Sequence, residues 1–153
     1  MFQAIVFLAL TTSAFASATL DVLVNAAASF SATIQQQLEM LRSNPSPAGI
    51  AEKTIDYSEA KAAYFKALRA EMPELMRIAT AREPRPPELD TFAAAFAVAG
   101  EKQEIVADQQ TQVLLKRFSH NPEIDKARVE FERAQKSEQR FHSEFDGLDF
   151  TDR

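Results

Sequence analysis

The chain has two histidines and no cysteine, and this limits the chemistry that it can perform. Without cysteine it has no disulfide, no thiolate metal ligand and no cysteine nucleophile. His142 follows Glu138 by four residues, so on a helix the two side chains share a face and form a candidate pair of metal ligands. Di-iron helical bundles instead use Glu-x-x-His twice, and this sequence lacks that motif. We therefore interpret the pair as a surface ion pair and predict no metal site.

Methionine and histidine are also the axial ligands of haem in soluble helical proteins. Met72 and Met76 fall late in the second predicted helix and His142 falls late in the fourth, so an up-down-up-down bundle brings them to one end. Methionine and phenylalanine at helical spacing are usually core residues, so we assign no cofactor. A haem carrier or other small-ligand-binding bundle using this end is the alternative hypothesis. The phenylalanines expected there are Phe92, Phe96, Phe141 and Phe145.

Catalytic motifs and a basic surface are both missing from the sequence. The motif G-x-S-x-G of α/β-hydrolases does not occur. Charged residues of mixed sign recur every four positions from Arg128 to Glu144, which is typical of a solvent-exposed helix face. The net charge of −5 disfavours nucleic acid as a partner, because nucleic acid selects basic patches. The sequence therefore predicts neither an enzyme nor a nucleic-acid-binding protein.

Two stretches without a charged residue are the most unusual feature of the chain. They run over residues 22–38 and 91–100, and the second contains the wholly apolar segment Phe92–Ala99. A helix that is apolar on all sides is normally covered on all sides. We therefore predict a contact surface there for a protein partner, a second copy of the chain, a lipid or a ligand. The alternative is that the outward alanines and serines are ordinary exposed surface. Its candidate residues are Ala28, Phe92, Ala94 and Ala97.

The composition indicates that helices position these residues. Alanine is the most frequent residue among the 153, and only three are glycine. Alanine, glutamate, glutamine, lysine, arginine and leucine have high helix propensities, whereas the alternating β-branched and aromatic runs of strands are absent. Twelve phenylalanines supply apolar surface for a core. The sequence predicts an all-α protein.

The N-terminus has the layout of an export signal. The apolar run Phe2–Leu10 precedes two overlapping A-x-A motifs, Ala14-Phe15-Ala16 and Ala16-Ser17-Ala18. This order is typical of a secretory signal peptide, although no Lys or Arg precedes the apolar run. We predict that residues 1–18 are cleaved and that residues 19–153 form a single domain. The alternative is a retained anchor, and membrane contact is expected only in that case.

A proline-rich turn separates the first two predicted helices. The first begins after Thr19, a suitable N-cap, and ends before Asn44-Pro45, because the residue ahead of a proline disfavours helix. The second starts between residues 47 and 54 and ends near residue 81. Pro73 removes one hydrogen bond inside this helix, so we predict a kink there.

The last two predicted helices are joined by a tight turn. Residues 83–87 (EPRPP) form an extended connector, and the third helix runs from Glu88 to about Ser119. The tripeptide Asn121-Pro122-Glu123 supplies an N-cap, a proline at the first helical position and an acidic first turn. The fourth helix therefore follows almost at once, in an antiparallel hairpin. Gly147 is its predicted C-terminal cap.

Apolar residues at alternating spacings of three and four form one stripe on each helix, as in a coiled coil. Burying the four stripes together gives an antiparallel up-down-up-down four-helix bundle. The alternative is a three-helix arrangement in which the first helix is fused to a retained anchor and packs elsewhere. The stripe of the third helix includes Phe92, Phe96, Val106 and Val113, and that of the fourth consists of Ile124, Ala127, Phe131, Ala134, Glu138, Phe141 and Phe145. Three polar residues fall on these stripes and are candidates for a buried polar layer, namely Gln103, Gln110 and Glu138.

These observations predict an exported helical bundle, periplasmic or extracellular, that acts as a binding or protein-interaction module without catalytic activity. The expected partner is a protein, or a second copy of the chain through self-association.

Overall fold

The computed structural model describes residues 2–81, 86–100 and 102–145, and among side chains those of residues 18–81, 86–98 and 103–145. Every regular element in these ranges is a helix, which confirms the predicted all-α class. The elements are α1 (Phe2–Arg42), α2 (Pro47–Thr80), α3 (Pro87–Gly100), α4 (Lys102–Arg117) and α5 (Pro122–Glu144). α3 and α4 flank Glu101, which lies outside the described residues, and together they occupy the place of the predicted third helix. The chain therefore follows the predicted order of four helices.

The first helix is longer than predicted. α1 begins at Phe2 rather than after Thr19, so in the full chain Thr19 lies inside the helix and is not an N-cap. The reason is that residues 2–42 contain neither proline nor glycine, and the N-terminal apolar run consists of residues that a helix accepts. The helix ends at Arg42, and Asn44 adopts a left-handed backbone with φ of 51°. Among the described residues, no helix is both long and apolar enough to cross a membrane.

The starts of α2 and α5 follow the capping signals in the sequence. Ser46 caps α2 by accepting a hydrogen bond from the backbone N–H of Gly49 at 3.2 Å, and Pro47 occupies the first turn. Asn121 caps α5 in the predicted manner, accepting a hydrogen bond from the N–H of Glu123 at 2.9 Å. Residues 83–85 of the predicted connector and the predicted cap Gly147 lie outside the described residues, and Pro87, the last residue of the connector, is the first residue of α3.

The core lies where α1, α2 and α5 meet, and α3 and α4 close it from the side of α1. α2 packs most extensively against α5 and α1, and α1 also packs against α3 and α4. Of the apolar stripe predicted for α5, Ile124, Ala127, Phe131, Ala134 and Phe141 are buried, whereas Phe145, just beyond the end of the helix, is half-buried. Around them lie the large buried side chains of the other helices, including Leu23, Phe30, Tyr57, Leu68, Met72, Leu75 and Phe92.

The stripe predicted for α4 is wrong by one residue. Val106 and Val113, which were expected inside, are 39% and 59% exposed. Gln103 and Gln110 are likewise exposed, so they do not form a buried layer. The inward positions of α4 are instead those one or two residues later, and two of the four are polar: Glu104, Ala107, Thr111 and Leu115. The two polar residues lie inside because side chains of other helices contact them: Lys61 of α2 contacts Glu104, and Gln37 of α1 contacts Thr111. The contacts of Glu104 belong to the site described next.

Candidate functional site

A buried lysine lies at the centre of the candidate site. Lys61 follows Tyr57 by four residues and precedes Tyr64 by three, so all three side chains point from α2 to the same side. Tyr57 and Lys61 are 0% exposed and Tyr64 is 2% exposed. A buried ammonium is tolerated only when it is ion-paired and hydrogen-bonded, because removing a charge from water is costly.

Three carboxyl groups surround the Lys61 ammonium. On α4, Glu104 Oε1 lies 3.2 Å and Asp108 Oδ2 lies 2.7 Å from Lys61 Nζ. On α5, Glu138 Oε1 lies 3.2 Å from the same nitrogen. Lys61 also donates a hydrogen bond to the side-chain oxygen of Gln135. We call Lys61, Glu104, Asp108 and Glu138 the charged layer. It joins α2, α4 and α5 in one network.

Asp108 is the best-anchored carboxylate of the charged layer. Besides the Lys61 ammonium it accepts a hydrogen bond from the Tyr57 hydroxyl, with 2.5 Å between Tyr57 Oη and Asp108 Oδ1. Burial and the adjacent Asp108 charge raise the pKa of Tyr57 far above its usual value, so this phenol keeps its proton. Burial lowers the pKa of Lys61, but the charges of Asp108, Glu138 and Glu104 outweigh it and raise that pKa. The centre of the layer is therefore the ion pair between the Lys61 ammonium and Asp108.

Glu104 and Glu138 differ from Asp108 because they face each other. Burial, followed by the hydrogen bond and the charge of Glu138, raises the pKa of Glu104 to about 9. Burial also opposes ionisation of Glu138, but the hydrogen bond with Glu104 and the Lys61 charge lower its pKa on balance. The two carboxyl groups therefore share one proton at neutral pH, with Glu104 the protonated partner.

The charged layer contains more negative than positive charge. Its one ammonium faces three carboxyl groups, all of whose ligand atoms lie within 4.8 Å of one another. With the shared proton in place the layer has an excess of one negative charge, and without it an excess of two. Such clustered oxygen atoms suit a hard cation. Here the Lys61 ammonium is the cation that they surround.

Two buried polar atoms beside this layer have no hydrogen-bond partner among the described residues, Glu104 Oε1 and the hydroxyl of Tyr64. Glu104 Oε1 lies at ion-pair distance from Lys61 Nζ but outside hydrogen-bond geometry. Burial, reinforced by the charge of Glu104, raises the pKa of Tyr64, so its phenol is also protonated. Unsatisfied buried polar groups are rare in folded proteins and need a specific explanation.

Both atoms belong to residues that line one pocket of about 280 Å³. Aromatic and apolar side chains form one part of its wall and carboxyl groups form the other. His142 lies at the exposed edge, with its ring centroid 5.9 Å from that of Phe65 and 5.4 Å from that of Phe141. The lining residues are Tyr64, Phe65, Phe96, Glu104, Ile105, Asp108, Glu138 and His142. The pocket combines unbalanced negative charge, unsatisfied polar atoms and aromatic faces.

A second polar layer joins α1, α2 and α4 nearer the α1–α2 turn. The side-chain amide of Gln37 donates hydrogen bonds to Thr54 Oγ1 at 3.1 Å and to Thr111 Oγ1 at 3.0 Å. All three residues are buried, and none carries a charge. We call them the neutral layer. Only Gln37 Oε1 lacks a partner there among the described residues, and Gln37 lines none of the described pockets.

The residues predicted for a haem or ligand site are only partly brought together. His142 lines the pocket, whereas Met72 is buried in the core, Met76 is 38% exposed, and neither methionine is among the residues described around the pocket. Glu138 does lie in a buried polar network, although its partners are Lys61 and Glu104 rather than Gln103 and Gln110.

The residues predicted for a contact surface have different environments. Ala28 and Ala94 are exposed, Ala97 is half-buried, and Phe92 is 0% exposed. Phe92 is a core residue in this chain, so it is not available to a partner. The contact surface itself stays a prediction for the three alanines.

Sequence reasoning missed Lys61, Glu104 and Asp108. A signal for Lys61 exists, since it falls on the inner-face spacing of Tyr57, Tyr64 and Leu68. Glu104 and Asp108 are one turn apart, and they face inward if the α4 stripe is moved by one residue. The prediction placed charged residues on the solvent-exposed face, so it did not identify the face of α4 that points inward.

No protein-family model, curated protein or solved structure matches this chain.

Proposed function

We propose that this chain is a non-catalytic helical-bundle binding protein whose ligand occupies the pocket beside the charged layer. The observation that carries the proposal is that Tyr64 and Glu104, each with a buried atom that lacks a hydrogen-bond partner among the described residues, line one pocket. A ligand that bonds to these residues would offset the desolvation of those atoms. An apolar wall with a few convergent polar groups is the usual construction of a small-molecule site.

The state of Lys61 supports binding rather than catalysis. A lysine that acts as a nucleophile or base needs a lowered pKa, whereas the pKa of Lys61 is raised. Its ammonium is held by Asp108 and the other carboxyl groups, which positions it as a fixed counter-charge. We therefore assign the charged layer a structural and electrostatic role in binding.

The bundle that carries this pocket is proposed to be antiparallel and up-down-up-down, with a kink near Pro73. The inter-helix contacts support this topology. Phe30 stacks on Tyr64 with ring centroids 5.0 Å apart, while Gln37, later in α1, contacts Thr54, earlier in α2. The pairing runs in opposite directions along the two helices, as an antiparallel pair requires. Pro73 lies inside α2 and cannot donate its backbone hydrogen bond.

We further propose that the protein is exported, to the periplasm or the extracellular space, after cleavage of residues 1–18. The support is the apolar run followed by the A-x-A motifs of the sequence. Intact-mass measurement of the protein from its native source should give an N-terminus at Ser17 or Thr19. Recovery of a chain that still begins at Met1 would contradict the proposal.

A protein contact through α3 and α4 is a second candidate function. The favouring observation is a set of exposed aliphatic side chains on these helices, Val98, Ile105, Val106 and Val113, at 54%, 53%, 39% and 59% exposure. Exposed apolar patches often mark interaction sites. Replacing the exposed Ala94 by glutamate should then reduce the mass measured by light scattering, or the recovery of a partner, with unchanged circular dichroism. Identical mass and partners would reject this candidate.

The ligand-binding proposal is tested by nuclear magnetic resonance. The ¹⁵N-labelled protein is titrated with small molecules of positive, negative and zero charge, and amide shifts are mapped on the sequence. We expect the largest shifts around Tyr64, Glu104 and Glu138. Tyr64→Phe, which removes only the unpartnered hydroxyl, should weaken binding, whereas Tyr57→Phe should weaken it less because that hydroxyl already donates to Asp108.

Two outcomes would overturn it. One is the absence of any shift with the whole set. The other is a response confined to the more open groove between α4 and α5, which is lined by long polar side chains such as Gln112, Lys116 and Gln139.

A further inference from the structure

The pocket lies next to uncompensated negative charge, and this determines which ligands it can accept. The groups facing Glu104 are Lys61, Tyr57 and Tyr64 from α2, Asp108 from α4, and Glu138 and His142 from α5. α1 contributes the neutral side chains of Gln35 and Gln37 to its contacts with α4, and α3 contributes Phe96 to the pocket wall. Lys61 is the only cation among them that lies at ion-pair distance from the carboxyl groups.

We infer that the ligand of this pocket is a small primary ammonium ion, which binds against Glu104 and Glu138 and displaces the proton that these two carboxyl groups share. The inference rests on the proposed ligand-binding function. The ligand nitrogen lies between Glu104, Glu138 and the Tyr64 hydroxyl, and its carbon skeleton lies against Phe65 and Phe96.

The number of hydrogen-bond acceptors favours a primary ammonium group. Such a group has three N–H donors. Glu104, Tyr64 and Glu138 all line the pocket, and the buried Glu104 Oε1 and Tyr64 hydroxyl lack a hydrogen-bond partner among the described residues. A quaternary ammonium ion has the charge but no donor, and an alcohol has a donor but no charge. Neither satisfies the wall as a primary ammonium ion does.

The aromatic residues favour an organic cation. The rings of Tyr64 and Phe65 lie 5.1 Å apart, and Phe96 lines the same space. Aromatic faces attract cations and also pack against the carbon chain attached to an ammonium group. The volume of about 280 Å³ is sufficient for a short amine and too small for a macrocyclic cofactor.

The position of Lys61 disfavours a divalent metal ion. Its ammonium lies 2.7–3.2 Å from all three carboxyl groups, which is the position that a metal bound by these groups would take. A divalent ion among the same oxygen atoms would be repelled by a lysine that remains protonated. An organic ammonium ion carries one charge rather than two, so the Lys61 ammonium repels it less than it repels a divalent ion.

Ligand binding must release a proton. In the free protein the Glu104–Glu138 pair holds one proton and bears one negative charge. A bound ammonium ion lowers the pKa of Glu104, as any adjacent positive charge does. The carboxyl O–H bond of Glu104 breaks, the proton leaves to solvent, and the carboxylate accepts the ammonium N–H in its place. Charge balances, because one cation enters as one proton leaves. Affinity should therefore increase with pH until Glu104 ionises without ligand.

The inference is tested by isothermal titration calorimetry with n-butylammonium, tetramethylammonium, 1-butanol, butyrate and Mn²⁺ as probes. Butylammonium should bind at least about tenfold more tightly than the matched alcohol, because the alcohol leaves polar groups of the site without a partner. Titrations in two buffers of different ionisation enthalpy should show about one proton released per butylammonium below pH 8. Glu104→Gln should weaken binding about tenfold and abolish the proton release. Glu59→Gln, on the exposed face of α2, is the charge-matched control and should do neither.

The failure of this inference differs from that of the proposed function. Equal affinity for butylammonium and 1-butanol at this pocket, or tighter binding of butyrate, would leave a ligand site but overturn the assignment of an ammonium ion. Mn²⁺ that binds more tightly and displaces butylammonium would make a metal the occupant. Binding of butylammonium without proton release would overturn the exchange. Only the absence of every pocket response in the resonance experiment would reject the binding site itself.

Discussion

The neutral layer and the charged layer both place polar side chains in the interior, but they differ in how far those side chains are satisfied. Each brings polar side chains from three helices into the interior, Gln37 with Thr54 and Thr111 in one case, and Lys61 with its carboxyl groups in the other. The neutral layer leaves one amide oxygen unsatisfied and borders no described pocket. The charged layer leaves excess charge and two unsatisfied atoms, and it borders a pocket. We propose that the neutral layer serves mainly to align helices, whereas the unbalanced charge of the charged layer serves to bind a ligand.

The largest expected difference between the layers comes from removing the central cation. Lys61→Met keeps the length of the side chain but leaves buried carboxyl groups without a counter-charge, and we expect a loss of about 3–5 kcal/mol in the free energy of unfolding. Urea denaturation at pH 7 measures it, with the exposed Lys66→Met as control, for which about 0.5 kcal/mol or less is expected. A loss below about 1 kcal/mol for Lys61→Met would mean that the layer is hydrated rather than buried.

The second-largest expected difference between the two layers is in the pH dependence of stability. Because the folded-state pKa of Glu104 is raised, the folded protein binds more protons than the unfolded chain between about pH 5 and pH 9. Stability should therefore fall as pH rises through this range, by about 1–3 kcal/mol in total, since the proton is shared with Glu138. Glu104→Gln should remove most of this slope, whereas Gln37→Leu should keep it. A wild-type protein whose stability is constant from pH 5 to 9 would contradict the shared proton.

Removing the centre of the neutral layer should have a smaller effect than removing Lys61. Gln37→Leu eliminates two hydrogen bonds but also one unsatisfied oxygen, and the hydroxyls of Thr54 and Thr111 can turn to carbonyl groups of their own helices. We expect a loss of about 1 kcal/mol in urea denaturation at pH 7. A loss as large as that of Lys61→Met would show that the two layers do not differ in the way proposed.

The smallest expected effect on stability is that of Tyr64→Phe. The hydroxyl has no partner, so its removal should change the free energy of unfolding by about 0.5 kcal/mol or less, or increase it. The same variant should bind butylammonium more weakly than the wild type does. Thermal unfolding with and without ligand measures both effects. A clear loss of stability without ligand would show that the hydroxyl has a structural partner.

The extent to which the sequence predicted this molecule differs between α5 and α4. On α5 the inward residues are apolar except for Glu138, so their spacing identified the buried face and Asn121 identified the start. On α4 the inward face contains Glu104 and Thr111, while valines are exposed on the other side. A periodicity argument assigns apolar residues to the core, so it selected the wrong face. The correct face depends on Lys61 and Thr54 of α2 and on Gln37 of α1, which are distant in sequence, and local patterns contain no information about such partners.

The central claim is that a proton is retained between two buried carboxyl groups at the pocket wall. It is tested most directly by following the side-chain carboxyl ¹³C shifts of the glutamates from pH 3 to pH 10, with and without butylammonium. We expect the carboxyl group of Glu104 to titrate with a pKa of about 9 in the free protein, that of Glu138 to titrate below its usual range, and the pKa of Glu104 to fall when butylammonium is added. Titration of both groups near the ordinary value of 4.5, unaffected by the ligand, would contradict the account.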